Sequence, residues 1–214
     1  MTNEQYHTLI HPYTDAMNLI LTRLEILNHC AADNEDVRPI HGITHRIKEK
    51  ISMENKLKKK NSNGSVQDAR TLLKDIAGIR VICSFVDDIY SVANMLVSQD
   101  DITVIAIKDY IKNPKPNGYR SYHLIIEIPV FFSEEKKNLR VEVQIRTIAM
   151  DFWASLDHQL KYKKDIGAAA DEISEDLRQC AEVIAATDQH MLQIRKSIEE
   201  KSTKQNKTNC NLRE

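Results

Sequence analysis

Hydrophobic and polar residues alternate without a break between Leu139 and Thr147. The apolar positions are Leu139, Val141, Val143 and Ile145, and the polar positions between them are Arg140, Glu142, Gln144 and Arg146. Because successive side chains of a strand point to opposite sides of a sheet, this stretch predicts a strand with one apolar and one polar face. Two interpretations of the polar face are open: a solvent-exposed face of an antiparallel sheet, or the floor of an active site.

Further strands and helices are predicted around this strand. Strand patterns occur at 81–85, 102–107 and 121–128, and a hairpin at 133–138 would pair the last of these antiparallel with 139–147. Apolar residues spaced by three and four predict helices at 4–30, 44–60, 87–97, 147–160 and 168–200. Thr44 is the predicted N-cap of the second helix. Gly78 is expected in a turn that enters the strand at 81–85. The mixture predicts an α+β fold.

The predicted organisation is a single domain. It spans residues 1–200 and has a central core at 44–162, between the N-terminal helix at 4–30 and the C-terminal helix at 168–200. The polar tail at 201–214 is expected to be disordered. Both terminal helices carry apolar stripes, which predict a helical bundle or a contact between subunits.

Composition narrows the possible partners. The net charge of -1 excludes a global attraction to nucleic acid or membranes, so any basic patch must be local. The four cysteines lack CxxC or CxxH spacing, which favours a reduced chain over a disulfide framework or zinc site. The N-terminus lacks signal-peptide features, and no apolar run approaches a membrane span. These observations predict a cytoplasmic protein with no membrane partner.

Candidate phosphate-binding residues are side chains rather than backbone amides. The five glycines are isolated, which excludes a P-loop and a dinucleotide fingerprint. Lys48, Ser52 and Lys56 are spaced by four and share a helix edge, where they form either a solvated face or a ladder for polyphosphate oxygens. Asp75 and Glu142 are separated carboxylates, and with the nearby cations they suit metal-dependent phosphoryl transfer.

A proline-containing loop precedes the strand at 121–128. Pro114 and Pro116 prevent this segment from continuing a sheet, and the loop ends at Gly118 and Tyr119. Tyr119 is either a surface aromatic or a platform on which a base stacks, with Gly118 permitting close approach. His123 is by itself most typical of a structural histidine.

Four segments, in this order, resemble the motifs of RelA/SpoT-type alarmone synthetases. They are Arg46-Ile47-Lys48, Asp75-Ile76-Ala77-Gly78-Ile79-Arg80, the loop from Lys108 to His123 containing Pro-Lys-Pro-Asn-Gly-Tyr-Arg-Ser-Tyr-His, and Glu142-Val143-Gln144-Ile145-Arg146-Thr147. The short chain with flanking helices resembles a stand-alone small alarmone synthetase. The His-Asp motif of the hydrolase half of the long members does not occur in this sequence, so we expect no alarmone hydrolysis.

The resemblance implies a nucleotidyltransferase-like mixed β-sheet flanked by helices. It also implies transfer of pyrophosphate from ATP to the 3′-hydroxyl of GDP or GTP, giving (p)ppGpp and AMP, by a homotetramer that contacts itself through the terminal helices. The implied ATP-binding residues are Arg46 and Arg80 beside adenine, and Lys48, Ser52 and Lys56 on the phosphates. Asp75 and Glu142 would bind Mg²⁺, and Glu142 would also accept the proton of the attacking hydroxyl. Tyr119 would stack on guanine, and Lys115, Asn117, His123 and Gln144 would position the acceptor nucleotide.

This chain departs from many tetrameric members at two positions. Gly42 stands where they carry an aromatic residue, and Asp151 stands where they tend to have asparagine. Both positions lie near the region where such tetramers bind their product as an activator. Because an added carboxylate and a missing ring weaken the hold on an anion, we expect product activation to be weak or absent. Arg140 and Arg146 have no predicted role.

Two other functions compete with this one. A toxic relative of the same fold would transfer pyrophosphate to tRNA ends. A catalytically inactive regulator would bind RNA through the basic segment 46–60, but an RNA-binding surface gains nothing from two buried carboxylates. We nevertheless keep RNA as a candidate regulatory partner.

Overall fold

A mixed sheet of five strands forms the centre of the fold in the computed structural model, which describes residues 1–35, 38–161 and 170–210. The elements in chain order are α1 (Asn3–Glu35), β1 (Ile40–Ile47), α2 (Lys50–Lys58), α3 (Val66–Leu72), β2 (Ala77–Cys83), α4 (Val86–Val97), β3 (Thr103–Asp109), β4 (Tyr122–Phe131), β5 (Lys136–Thr147), α5 (Ile148–Lys161) and α6 (Ala170–Cys210). The strand order is β1-β2-β5-β4-β3. β2 and β5 are parallel, and the other neighbouring strands are antiparallel. This architecture confirms the predicted α+β fold with long terminal helices.

The apolar face of β5 is part of the hydrophobic core. Its four apolar side chains are buried, together with inward residues of α1 and α4, which pack on the sheet and on each other. The buried helix residues include Leu9, Ile20, Leu24, Ile89, Val92 and Leu96. Burying one such side chain stabilises a fold by about 1.5–3 kcal/mol, so this face is tightly specified. The pairing of β4 with β5 is antiparallel, as predicted.

The predicted basic helix at 44–60 is wrong in its first part. Residues Ile40–Ile47 form strand β1, and the helix α2 begins only at Lys50. Thr44 pairs with Arg80 of β2 and therefore does not cap a helix. The physical reason is that this segment contains several β-branched residues, which favour a strand when a partner strand is available.

Other boundaries also differ from the prediction. β2 begins at Ala77, so Gly78 lies inside a strand between Arg46 and Glu142 rather than in a turn. α1 continues through Pro12 to Glu35. α3 was not predicted. In the hairpin, β4 ends at Phe131 and β5 begins at Lys136.

The terminal helices pack on different parts of the body. α1 packs mainly on the sheet and α4, whereas α6 packs on α5 and α4. α6 continues to Cys210 and includes most of the segment expected to be disordered. Residues 211–214, and the predicted boundaries at 162 and 168, lie outside the described residues. None of the helices in the described part of the chain combines the length and apolar character needed to cross a membrane.

Among the glycines that the structure describes, Gly118 has the least space for an added methyl group. Its φ is +86°, and an added Cβ would lie 2.5 Å from the Cβ of Ala181 in α6. We expect Gly118→Ala to destabilise the protein by about 2–4 kcal/mol, because left-handed strain and overpacking add. Thermal unfolding measures this loss of stability as a lower melting temperature. The matched control is Gly42→Ala, whose added Cβ would have nothing within 4 Å; equal melting temperatures for the two variants would contradict the prediction.

Candidate active site

The polar face of β5 lies at the floor of an open cleft of about 180 Å³. Strand pairing places Glu142 beside Gly78 and Gln144 beside Arg80. The residues that line the cleft are Thr44, His45, Arg46, Asp75, Gly78, Ile79, Arg80, Glu142 and Gln144. The polar face of β5 therefore belongs to a concave site rather than to an open sheet surface, which favours the second of the two interpretations.

Asp75 lies at the entry to β2 and binds two lysines. Its Oδ2 accepts hydrogen bonds from Lys48 Nζ at 2.9 Å and Lys56 Nζ at 2.7 Å. Lys48 follows β1 and Lys56 lies on α2, so three segments meet at this carboxylate. Burial by itself would raise the pKa of Asp75, but the hydrogen bonds and charges of both lysines outweigh it and lower the pKa. Asp75 is therefore ionised at neutral pH.

The second oxygen of Asp75 is available to a ligand. Its Oδ1 is buried and has no hydrogen-bond partner within the described part of the chain. An unsatisfied buried carboxylate oxygen is costly unless a cation or a donor completes it. Glu142 lines the same cleft, and its charge is close enough to Asp75 for the two carboxylates to interact. Hard oxygen donors of this kind fit Mg²⁺ better than zinc or copper.

Glu142 is held in its ionised form by two neighbours. Gln144 Nε2 donates to Glu142 Oε2 at 2.9 Å, and His123 Nδ1 lies 3.6 Å from Glu142 Oε1. Burial by itself would raise the pKa of Glu142, but His123 and Gln144 outweigh burial and lower the pKa. The site therefore presents a carboxylate rather than a carboxylic acid.

Tyr119 connects to Glu142 through His123. The Tyr119 hydroxyl lies 2.8 Å from His123 Nε2 and accepts a hydrogen bond from Arg146 at 2.6 Å. Since the arginine is always a donor, the hydroxyl is left to donate to Nε2, and we infer that the His123 proton is on Nδ1, facing Glu142. Lys115 Nζ lies 4.5 Å from the centre of the Tyr119 ring. Burial, followed by the charges of nearby cations, lowers the pKa of Lys115.

Gly118 has a different role from the predicted one. The backbone approaches Ala181 and Arg178 of α6 at this glycine, rather than a position open to a base. Asn117 Oδ1 accepts from the backbone N of Tyr119 at 3.4 Å and so shapes the loop. The loop therefore lies against α6.

The predicted site residues are brought together to different degrees. Those that line the cleft or contact a residue lining it are Arg46, Lys48, Lys56, Asp75, Arg80, His123, Glu142 and Gln144. Tyr119 and Lys115 meet beside His123. Ser52 is exposed and does not line the cleft.

Arg146 is the residue that sequence reasoning missed. It is only 4% exposed. It donates to Tyr119 Oη at 2.6 Å, Gln144 Oε1 at 3.0 Å, Asp151 Oδ1 at 3.0 Å and Ser121 Oγ at 3.4 Å. The alternation of β5 contained a signal, because it places Arg146 on the same face as Glu142 and Gln144.

The fold and the cleft together define an α+β domain with carboxylates and cations on one face of a mixed sheet, an arrangement that is suited to phosphoryl-group transfer. A model of the region found in RelA/SpoT proteins matches residues 45–167. The chain therefore belongs to the RelA/SpoT family.

Relatives match nearly the whole chain. GTP pyrophosphokinase YwaC of Bacillus subtilis (strain 168) is 39% identical over 187 residues, covering 87% of this chain and 89% of that protein. GTP pyrophosphokinase YjbM of the same strain is 34% identical over 200 residues, covering 94% and 93%. The crystal structure of small alarmone synthetase 1 from Bacillus subtilis bound to its product pppGpp gives a TM-score of 0.81 at 33% identity, covering 92% of this chain and 100% of that one.

Proposed function

We infer that this chain is a GTP pyrophosphokinase. It transfers pyrophosphate from ATP to the 3′-hydroxyl of GDP or GTP, giving (p)ppGpp and AMP. The observation that carries this function is the meeting of Asp75 and Glu142 in one cleft, in a chain that matches two GTP pyrophosphokinases over most of its length. ATP and guanine nucleotides are cytoplasmic metabolites, so we place the enzyme in the cytoplasm.

Glu142 is the proposed catalytic base. In the reaction the 3′-oxygen forms a bond to the β-phosphorus of ATP, the bond between that phosphorus and the bridging oxygen to the α-phosphorus breaks, and AMP leaves. The ionised Glu142 accepts the proton of the 3′-hydroxyl, and its lowered pKa keeps it unprotonated at neutral pH. The amide of Gln144 donates to one oxygen of the carboxylate, and the His123 ring lies 3.6 Å from the other.

The ATP side of the site is assigned to cations. Lys48 and Lys56 converge at Asp75, which supports their role on the phosphates. Arg46 and Arg80 line the cleft on neighbouring strands, and planar guanidinium groups are suited to stacking on adenine. Ser52 is the weakest member of this set, since it is exposed.

We propose Mg²⁺ as the metal held by Asp75 and Glu142. The partnerless Oδ1 of Asp75 supports this assignment. When bound, the ion would neutralise charge on the transferring phosphates. The described residues contain no group of three or more His, Cys, Asp or Glu ligands, so nucleotide oxygens and water would complete the coordination.

The guanine nucleotide is assigned to the side of Glu142 on which His123 and Tyr119 lie. Tyr119 is the stacking residue, and Lys115, Asn117, His123 and Gln144 position the acceptor. The contacts from Tyr119 to His123, through a hydrogen bond, and from His123 to Glu142, at 3.6 Å, support this assignment because they relate the position of the aromatic ring to the proposed catalytic carboxylate.

Nucleotide product analysis tests the function. With Mg²⁺, ATP and GDP or GTP, the protein should form ppGpp or pppGpp together with AMP, and a chelator should stop the reaction. Glu142→Gln keeps the shape of the side chain but cannot accept the proton, so we expect the rate to fall by about 10²-fold or more. The control is Glu127→Gln, the same change at a residue that pairs with Arg140 outside the cleft; its rate should stay within about three-fold of the wild type.

The alternatives predict other outcomes of the same experiment. A tRNA-modifying relative would label tRNA and not GDP or GTP. An inactive RNA-binding regulator would form no product, and its RNA binding would be unchanged in Glu142→Gln. Either result would overturn the proposed function.

We also propose that product activation is weak or absent. The Asp151 carboxylate adds a negative charge that opposes an anionic ligand, and in the structure it is paired with Arg80 and Arg146. Gly42 lacks the aromatic ring that many tetrameric members of the family carry at this position. Initial rates with added pppGpp should rise by less than about two-fold, whereas an allosteric activator typically changes affinity by about 5–150-fold. Strong stimulation would rule this proposal out.

We propose a homotetramer that contacts itself through the terminal helices, and exposed apolar residues on α6 and the adjacent α5 support a contact at the C-terminal helix. Four α5 side chains spaced by four form one stripe and are 41–58% exposed: Ile148, Phe152, Leu156 and Leu160. Exposed apolar residues also follow α6: Val183, Met191, Ile194 and Ile198. Contiguous exposed apolar surface of this kind marks interaction sites.

Light scattering after gel filtration tests the assembly. The wild type should have the mass of a tetramer, and Phe152→Glu should shift it to dimers or monomers, because a charge in an apolar interface must be desolvated. Phe131→Glu is the matched control, since Phe131 is also exposed but lies on the β4–β5 hairpin. A monomeric wild type, or an intact tetramer in Phe152→Glu, would contradict the proposal.

A further inference from the structure

We propose that Asp151 makes ATP binding and guanine-nucleotide binding mutually dependent, by linking Arg80 to Arg146. This inference rests on the proposed function, which assigns Arg80 to ATP and Tyr119 to guanine. Asp151 and Arg146 act as positioning residues and do not contact the reacting atoms.

One carboxylate oxygen joins the two arginines. Asp151 Oδ1 lies 3.3 Å from Arg80 NH1 and accepts from Arg146 NH1 at 3.0 Å. Asp151 is in the first turn of α5, directly after β5, so its backbone is anchored to the strand that carries Glu142. The first turn of a helix also favours a negative charge.

Arg146 carries the link to the guanine side. The same guanidinium donates from NH2 to Tyr119 Oη at 2.6 Å and to Gln144 Oε1 at 3.0 Å. Because Arg146 is buried and its donors are engaged on several sides, it cannot shift without moving the Tyr119 hydroxyl. From Tyr119 the row continues through His123 to Glu142.

Arg80 carries the link to the ATP side. It lines the cleft, and its Nε is buried without a hydrogen-bond partner among the residues that the structure describes. Burial and the nearby charge of Arg146 lower the pKa of Arg80, whereas the charge of Asp151 opposes this effect. The carboxylate therefore offsets a repulsion between two guanidinium groups that serve different substrates.

The shared oxygen is the physical basis of the coupling. Arg80 and Asp151 are the more exposed members of this network, with side chains 37% and 26% exposed, so a nucleotide that fixes Arg80 also restricts Asp151 and its contact with Arg146. The second nucleotide then binds to a site that is already ordered and loses less conformational freedom. The effect must be reciprocal, so ATP and guanine nucleotide each raise the affinity for the other by the same factor. Asparagine at 151 would keep an acceptor oxygen but not the charge that holds two cations together.

Calorimetric titration measures the coupling without turnover. The dissociation constant of GDP is measured with and without saturating AMPCPP, an ATP analogue with a carbon bridge between the α- and β-phosphorus atoms. We expect about five-fold or tighter GDP binding with AMPCPP in the wild type, the lower end of typical coupling between sites. In Asp151→Asn, AMPCPP should tighten GDP binding by less than two-fold. Asp151→Glu keeps the charge and should recover part of the wild-type factor.

Two controls separate coupling from general damage. Asp100→Asn removes an exposed carboxylate in the turn before β3 and should keep the wild-type factor. If Asp151→Asn does not fold, Tyr119→Phe keeps the ring but removes the hydroxyl that Arg146 binds, and it should at least halve the factor.

Independent binding of the two nucleotides in the wild type would overturn the inference. It would also be overturned if AMPCPP tightened GDP binding in Asp151→Asn by the same factor as in the wild type. Where Asp151→Asn does not fold, the same result in Tyr119→Phe would overturn it. The proposed function is tested separately, because product formation by the wild type does not depend on whether the two affinities are coupled.

Discussion

The parallel pairing of β2 with β5 is the constraint on which the site depends. It places Gly78 opposite Glu142, so that no side chain of β2 stands beside the Glu142 carboxylate, and it places Arg80 opposite Gln144. Asp75 lies just before β2 and lines the same cleft as Glu142 and Gln144. A shift of this pairing by one residue would turn every side chain of one strand to the opposite face, which would bury the charges in the core.

Charged groups in the cleft are stabilised by one another. Asp75 is held by two lysines, and Arg146 has four hydrogen-bond acceptors around its guanidinium. Buried ionic networks of this kind contribute little net stability, since desolvation offsets much of the attraction. Their main effect here is the geometry that they impose on Tyr119, Gln144 and Glu142. Pre-organised charge is the main source of catalysis in phosphoryl transfer.

The N-terminal half shows where sequence patterns are insufficient. The spacing of Ile47 and Ile51 is compatible with a helix, yet β1 extends through Ile47 because the edge of β2 offers it hydrogen-bond partners. Local propensity does not include that partner. Gly118 is a second case, because its close neighbour Ala181 is distant in sequence and belongs to a helix that only the folded chain brings near.

The sequence by itself determined the alternation of β5, the α+β class and the family motifs, because these depend on residues that are close along the chain. The roles of Glu142 and Asp75 remain proposals, but their presence in one cleft agrees with the sequence-based expectation. Only the tertiary structure decided that Arg146 is buried and that Asp151 joins it to Arg80. The physical reason is that a charged residue on a strand is compatible with either solvent or a buried partner, and the choice depends on elements far away in sequence. The sequence therefore predicted the polar face of β5, and the tertiary structure decided that β1, β2, the Tyr119 loop and α5 surround it.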